Sequence, residues 1–197
     1  MAVTTEMVKK LRAMTGAGMM DVKRALDDTN GDLEKAAELL RERGIAKADK
    51  KADREAKEGL IGSYIHHNGK IAVIVEVNCE TDFVAREASF QELARNIAMH
   101  IAMAAPTYTR VEEVPADAVE EERTALLRQA KEEGKPENVA DKIANGRIQK
   151  WFSEIVLLEQ PYVKDDKKTI DQLVKEATAT LGENIQIGRF SRIAIGE

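Results

Sequence analysis

Few side chains in this sequence are suited to catalytic or metal chemistry: three histidines and a single cysteine. His66 and His67 are adjacent, so on a β-strand they face opposite sides and cannot both bind one metal ion. His100 lies in a segment with helical spacing. Cys79 has no neighbouring residue marked as a base that would activate it as a nucleophile. We interpret the histidines as ordinary polar residues of the surface or of turns and Cys79 as a buried thiol, and we expect no metal site.

The stretch TGAGMM, residues 15–20, places two glycines and two methionines at the start of a helix. A glycine-rich helix N-terminus could cradle phosphate, but the adjacent Met19 and Met20 cannot both be buried on one side of a helix. One should face the neighbouring helices, and the other could be a soft, adaptable contact for a partner. On these residues alone, core or incidental surface and partner interface both stay open.

The stretch NCETDFVARE, residues 78–87, has no glycine or proline, although the spacing predicts a strand before it and a helix after it. Thr81 or Asp82 could be the N-cap of that helix. Phe83 could then be a core residue behind the cap, or a ring held outward at the junction as a rigid probe. Phe90 and the apolar residues that follow already supply core-facing side chains, and both alternatives stay open.

Three short helices within residues 1–45 position the TGAGMM stretch. Thr4 or Thr5 can cap the first helix, and the glycines of TGAG end it. The second carries its apolar residues on one side. Asp32 caps the third helix, which Gly44 should end. These helices predict a compact N-terminal bundle.

A charged segment, residues 46–58, lacks large apolar side chains, so we interpret it as a linker to a core formed by residues 59–197. In that core, Asn68-Gly69 predicts the turn of a β-hairpin. A capping box, SFQE at residues 89–92, predicts the start of a helix, and NIQIGRFSRIAI predicts a last strand. The fold class is therefore α+β: a three-helix bundle, then a small antiparallel, three-stranded sheet packed with helices.

The composition limits the partners that the protein can bind. Of 197 residues, 43% are hydrophobic and 33% are charged, and the net charge is −5. No overall positive field attracts nucleic acid or an anionic membrane, and no run approaches the about 18 apolar residues of a membrane span. No phosphate-loop, dinucleotide-binding or paired-cysteine zinc motif is present, so we expect no cofactor. We expect a cytoplasmic protein without a direct nucleic-acid or membrane partner, and the lone cysteine fits a reducing compartment.

Three stretches carry a resemblance to a known family: VKKLRAMTGAGMMDVKRAL, VEVNCETDFVAR and the ending IGRFSRIAIGE. With NGDLEKAAELLRERG and QPYV between them, the chain resembles bacterial translation elongation factor Ts over essentially its whole length. The resemblance implies a guanine-nucleotide exchange factor, not an enzyme, that binds the GTPase elongation factor Tu in its GDP-bound and nucleotide-free states. It also implies that the N-terminal helical unit is ubiquitin-associated-domain-like.

The same resemblance implies two sets of partner-binding residues. The set by which the N-terminal unit docks on the GTPase is Arg12, Met19 and Met20. The set that matches the family's TDFV motif, which disturbs the Mg²⁺ site of the partner, is Thr81, Asp82, Phe83 and Val84. Whether Asp82 contacts the partner or caps a helix stays open.

Longer members of the family carry a second core half and an inserted coiled-coil hairpin, and this chain is too short for both. It resembles the short form with one core unit. A three-stranded sheet would leave an apolar face uncovered, so we predict a homodimer, with the final strand and Phe190 as candidates for its interface. The alternative function is a non-catalytic protein-binding adaptor of the translation machinery. An RNA-binding accessory protein and an enzyme that uses Cys79 fit the residues less well.

Overall fold

The computed structural model describes residues 3–197, which contain eight α-helices and five β-strands. The helices are α1 (Thr5–Thr15), α2 (Met19–Asp28), α3 (Leu33–Asp49), α4 (Asp82–Ala85), α5 (Ala88–Ala104), α6 (Ala116–Glu132), α7 (Glu137–Ile155) and α8 (Ile170–Leu181). The strands are β1 (Glu58–Ile65), β2 (Ile71–Cys79), β3 (Pro161–Tyr162), β4 (Asp165–Thr169) and β5 (Gln186–Ala194). One sheet has the order β1-β2-β5, and β3 pairs with β4 in another. The predicted α+β fold with a three-stranded antiparallel sheet is confirmed.

The chain divides into two compact units, each built from separate segments. Unit 1 comprises Met1–Leu60, Val77–Leu93 and Gln172–Gln186. Unit 2 comprises Ile61–Glu76, Ala94–Asp171 and Ile187–Glu197. The division into residues 1–45, 46–58 and 59–197 stays a prediction.

Unit 1 begins with α1, α2 and α3, which share one apolar core. Of the two predicted caps for α1, Thr4 is the one used, and its hydroxyl accepts from the N–H of Met7 at 3.3 Å. Asp32 caps α3 and accepts from the N–H groups of Glu34 and Lys35, each at 3.1 Å. The hydrogen bond from the Lys35 N–H lowers the pKa of Asp32. The buried residues of this core are Leu11, Val22, Ala25, Leu26, Ala36 and Leu40.

Two helix boundaries in unit 1 differ from the sequence prediction. Helix α3 does not end at Gly44 but continues to Asp49. A Cβ at position 44 would lie 3.3 Å from the Cβ of Ala179 in α8, so Gly44 allows two helices to approach closely instead of ending one. Helix α5 begins at Ala88, one residue before the predicted cap Ser89.

The three-stranded sheet, from Ile61 onward, belongs to unit 2 and packs one face on α5. Gly69 has a φ of +69° in the turn between β1 and β2, as the Asn68-Gly69 pair predicts. A Cβ at Gly62 would lie only 2.6 Å from the carbonyl oxygen of Ala94, so only glycine fits where β1 crosses α5. The final strand β5 is the predicted third member of the sheet.

Unit 2 also contains a helical hairpin, in which α6 and α7 pack as an antiparallel pair joined by residues 133–136. Strands β3 and β4 pair antiparallel in a second, two-stranded sheet, which the sequence analysis does not predict. Beside β3, His100 is fully buried on α5, so its interpretation as a surface or turn residue was wrong. Its Nε2 contacts the side-chain oxygen of Gln160 at 2.9 Å. Its Nδ1 accepts from the N–H of Val163 at 3.3 Å, so Nε2 carries the proton. Burial lowers the pKa of His100. Within residues 3–197, no helix is both long and apolar enough to cross a membrane.

Candidate functional site

The NCETDFVARE stretch lies in unit 1, where β2 ends at Cys79 and the single-turn helix α4 begins at Asp82. Thr81 is the N-cap of α4, with extended backbone and a hydroxyl that accepts from the N–H of Val84 at 3.4 Å. The Cys79 thiol is buried and donates to the carbonyl oxygen of Thr81 at 3.1 Å. The open choice between Thr81 and Asp82 as the cap is therefore decided for Thr81.

Phe83 points out of the protein. Its side chain is 76% exposed, while the next residue, Val84, is only 8% exposed. The alternative that Phe83 is a core residue is therefore wrong. Helix α4 turns one apolar side chain inward as an anchor and presents the other, a rigid aromatic ring, to solvent.

Asp82 lies at the first position of α4 and forms an ion pair with Arg86, whose guanidinium nitrogen is 2.6 Å from its carboxylate. Asp82 is half-buried and Arg86 is exposed, so the pair contributes little to stability. A carboxylate in the first turn also suits the positive end of a helix. The arrangement places one acidic and one basic group beside the exposed ring.

The start of α4 is held by a pair of carboxylates that sequence reasoning missed. Glu183 accepts the N–H groups of Glu80 and Thr81 on Oε2, at 3.0 and 2.9 Å. Its Oε1 accepts the Thr81 hydroxyl at 2.6 Å. In return, Glu80 accepts the N–H of Asn184 at 2.7 Å. We call these four residues the carboxylate clasp. Because Thr81 and Glu183 are 102 positions apart, no local pattern signals the contact.

Cys79 has the environment of a structural thiol. Its burial, and next the charge of Glu183, raise the pKa of the thiol, whereas a nucleophilic cysteine needs a lowered pKa. The interpretation of Cys79 as a buried thiol is confirmed. Within residues 3–197, no group of three His, Cys, Asp or Glu side chains is placed to hold a metal ion.

Three exposed methionines flank the turn between α1 and α2. Met19 and Met20 are 59% and 61% exposed, and Met14, which sequence reasoning missed, is 59% exposed. The expectation that one of the adjacent methionines faces the bundle was wrong, because α2 begins at Met19 and its buried face starts one turn later at Val22. Arg12 is also exposed, and within residues 3–197 its guanidinium forms no salt bridge.

Comparison with known proteins supports the resemblance seen in the sequence. The profile of the family described as Elongation factor TS matches residues 4–197. A protein named Elongation factor Ts from Solidesulfovibrio magneticus is 57% identical over all of this chain and 98% of its own length. Relatives of the same name from Geobacter metallireducens and Fervidobacterium nodosum are 56% and 53% identical, over 91% and 100% of their own lengths.

The chain belongs to the elongation factor Ts family. As a family member it has a role in translation elongation and thus in protein biosynthesis. The exposed ring of Phe83 and the exposed methionines lie in the two stretches that carry the resemblance most specifically.

One face of the three-stranded sheet is open and carries exposed isoleucines. Gly62 of β1 and Arg192 of β5 contact α5, with the Arg192 Nε donating to the carbonyl of Ala102 at 3.4 Å. Side chains one position away point to the opposite face. The exposed isoleucines of that face, which we call the isoleucine face, are Ile61, Ile65, Ile74, Ile193 and Ile195.

Proposed function

We propose that the protein is a guanine-nucleotide exchange factor for elongation factor Tu. The observation that carries the proposal is the ring of Phe83, which is 76% exposed although it follows a buried strand end and precedes a buried valine. A large exposed aromatic side chain on an anchored helical turn is suited to insertion into a partner. Phe83 lies in the TDFV stretch of this family member, and we therefore propose elongation factor Tu as the partner.

The physical mechanism is a distortion of the partner's nucleotide site. In a nucleotide-bound GTPase, Mg²⁺ and the amides of the phosphate loop together hold the phosphates. When Phe83 is inserted between helices of the partner, groups that support the ion shift, and Mg²⁺ and then GDP are held less tightly. Burial of a phenylalanine side chain contributes about 1.5–3 kcal/mol, which can offset part of the distortion. In this proposal Asp82 orients the ring, Val84 anchors it and Thr81 caps its helix.

Reciprocity determines the order of events. If the factor weakens GDP binding, GDP must weaken binding of the factor by the same ratio. Exchange then passes through a transient ternary complex to a nucleotide-free binary complex, from which GTP displaces the factor. No bond is made or broken, so the protein acts by binding, without catalytic residues or a cofactor, in the cytoplasm where translation takes place.

The docking surface in this proposal is the turn between α1 and α2. Met19 and Met20 are exposed thioethers that can adapt to an apolar groove, and the Arg12 guanidinium is available to a carboxylate of the partner. The proposed roles follow the domains predicted from the sequence. Residues 1–45 dock on the partner, residues 46–58 form the linker, and residues 59–197 displace GDP and form the dimer.

The test is the release of a fluorescent GDP analogue from elongation factor Tu, measured by stopped flow against increasing factor concentration. The proposal requires the release rate to rise and saturate. A factor that binds elongation factor Tu but leaves the release rate unchanged would instead be the non-catalytic adaptor, and the exchange proposal would fail.

We also propose that the protein is a homodimer that pairs through the isoleucine face. The exposed isoleucines lie on the open face of a three-stranded sheet, and several exposed apolar side chains on one face favour an interaction site. Phe190, the interface candidate from the sequence, is half-buried, and its side chain points to the opposite face of β5 from Ile193. Substitution of Ile193 is therefore the better test of the interface. Ile193→Lys should convert the dimer to a monomer in analytical ultracentrifugation, while Met103→Lys, an exposed residue on α5, should not. A monomeric wild-type protein at micromolar concentration would refute the dimer.

A further inference from the structure

A single-turn helix cannot hold its own geometry. Helix α4 spans only Asp82–Ala85, and helix nucleation is unfavourable because several backbone dihedrals are fixed for one hydrogen bond. The ring of Phe83 adds little, since most of it is exposed. Whatever fixes the direction of the ring must therefore act on the backbone that leads into α4.

The carboxylate clasp acts on that backbone. Glu183 binds both N–H groups between the end of β2 and the start of α4, and it also binds the hydroxyl that caps α4. These are hydrogen bonds to a carboxylate, which are stronger than those between neutral groups. They orient Thr81, whose hydroxyl in turn accepts from the N–H of Val84.

Glu80 and Asn184 add further contacts to the carboxylate clasp. Glu80 accepts the N–H of Asn184 and lies 3.5 Å from Arg54, while the Asn184 side chain donates to the carbonyls of Ala52 and Arg54 at 3.1 and 2.6 Å. Three separate segments of unit 1 therefore meet at the entry to α4. The loop after α8 cannot move without moving the backbone that carries Phe83.

We infer that Glu183 is a positioning residue for nucleotide exchange: it holds α4 so that the Phe83 ring is presented in one direction. The inference rests on the proposed exchange function. Glu183 itself does not reach the partner in this account, so its loss should reduce how effectively the bound factor displaces GDP and leave docking by the N-terminal helices largely unchanged.

Three variants separate positioning from a general loss of stability. Glu183→Ala removes the whole acceptor. Glu183→Gln keeps an oxygen that can accept the two backbone N–H groups, so it should rescue most of the function. The matched control is Glu176→Ala, which breaks the 3.0 Å ion pair between α8 and Arg41.

The readout is the maximal GDP-release rate and the factor concentration that gives half of it. Glu183→Ala should lower the maximal rate at least about tenfold and shift the half-saturating concentration by less than about threefold. Glu183→Gln should stay within about threefold of wild type. An unchanged maximal rate in Glu183→Ala, an equal loss in Glu176→Ala, or an effect on half-saturation alone would overturn the inference.

Amide hydrogen exchange in the free protein tests the clasp without elongation factor Tu. In Glu183→Ala the amides of Glu80, Thr81 and Val84 should exchange at least about tenfold faster than in Glu176→Ala, and unchanged protection would overturn the clasp. If Glu183→Ala does not fold, Glu80→Ala opens the clasp from the motif side and must give the same kinetic pattern. If wild type fails to release GDP while the amide result holds, the exchange function fails and the clasp stands.

Discussion

Replacement of Phe83 by alanine should slow nucleotide exchange while leaving the fold intact. The side chain is 76% exposed, so about a quarter of it is covered in the free protein. At about 1.5–3 kcal/mol for full burial, that quarter corresponds to about 0.5 kcal/mol of folding free energy. The exposed remainder is available to a partner and corresponds to about 1–2 kcal/mol, or a rate loss of about five- to thirtyfold.

The assay pairs GDP-release kinetics with urea unfolding of the same variant. Met103→Ala is the matched control, because Met103 is an exposed apolar side chain on α5 outside the motif. It should change neither the maximal release rate nor the free energy of unfolding by a measurable amount. Phe83→Leu should fall between wild type and Phe83→Ala, since it keeps apolar area but loses the rigid ring.

Two results would refute the reasoning. A loss of several kcal/mol of folding free energy in Phe83→Ala would mean that the ring is part of a core. A full release rate in a stable Phe83→Ala protein would mean that the ring is exposed but does not act on the partner.

Three further perturbations test other parts of the structure. Gly62→Ala should lower the free energy of unfolding in urea by at least about 2 kcal/mol, because its Cβ would meet the α5 backbone. Gly146→Ala, in open space on α7, should instead raise it by about 0.5–1 kcal/mol. Equal effects of the two substitutions would contradict the close packing of β1 on α5. Burial lowers the pKa of His100, so just below pH 6.5 its imidazole binds a proton in the unfolded chain but not in the folded protein. As the pH is lowered through this range, the free energy of unfolding should fall by up to about 1.4 kcal/mol per pH unit. His100→Gln should flatten this slope, and an unchanged slope would exclude His100 as its source. Met20→Ala should raise the half-saturating concentration about fivefold at an unchanged maximal rate, and the reverse pattern would remove Met20 from docking.

The helices and the hairpin could be predicted because their signals are local. The caps Thr4 and Asp32, the Asn68-Gly69 turn and the last strand all depend on neighbours a few residues away. Gly44 misled because a glycine can end a helix or admit a close neighbour, and the neighbour, Ala179 in α8, is far away in the sequence. The strands β3 and β4 were missed because they are short and mostly polar.

The residues proposed for the candidate site come from the family resemblance, whereas their geometry comes only from the structure. Spacing left Phe83 between core and surface, because a strand-to-helix junction without glycine can turn a side chain either way. The direction is decided by contacts that the spacing does not contain: the buried Val84 and the carboxylate that Glu183 supplies. The exposure of Met19 and Met20 could not be predicted for a similar reason. The apolar spacing of a helix does not show that its first turn lies outside the packed core.

The carboxylate clasp also bears on synthesis of the chain. Thr81 leaves the ribosome 102 residues before Glu183, an interval of about 5–20 s at about 5–20 residues per second. Throughout that interval the N-terminal helices are complete, but the acceptor that orients Phe83 does not yet exist. In the proposed exchange function, a nascent chain would form its docking surface while the aromatic ring still lacks a fixed direction, and displacement of nucleotide would be deferred until synthesis is nearly finished.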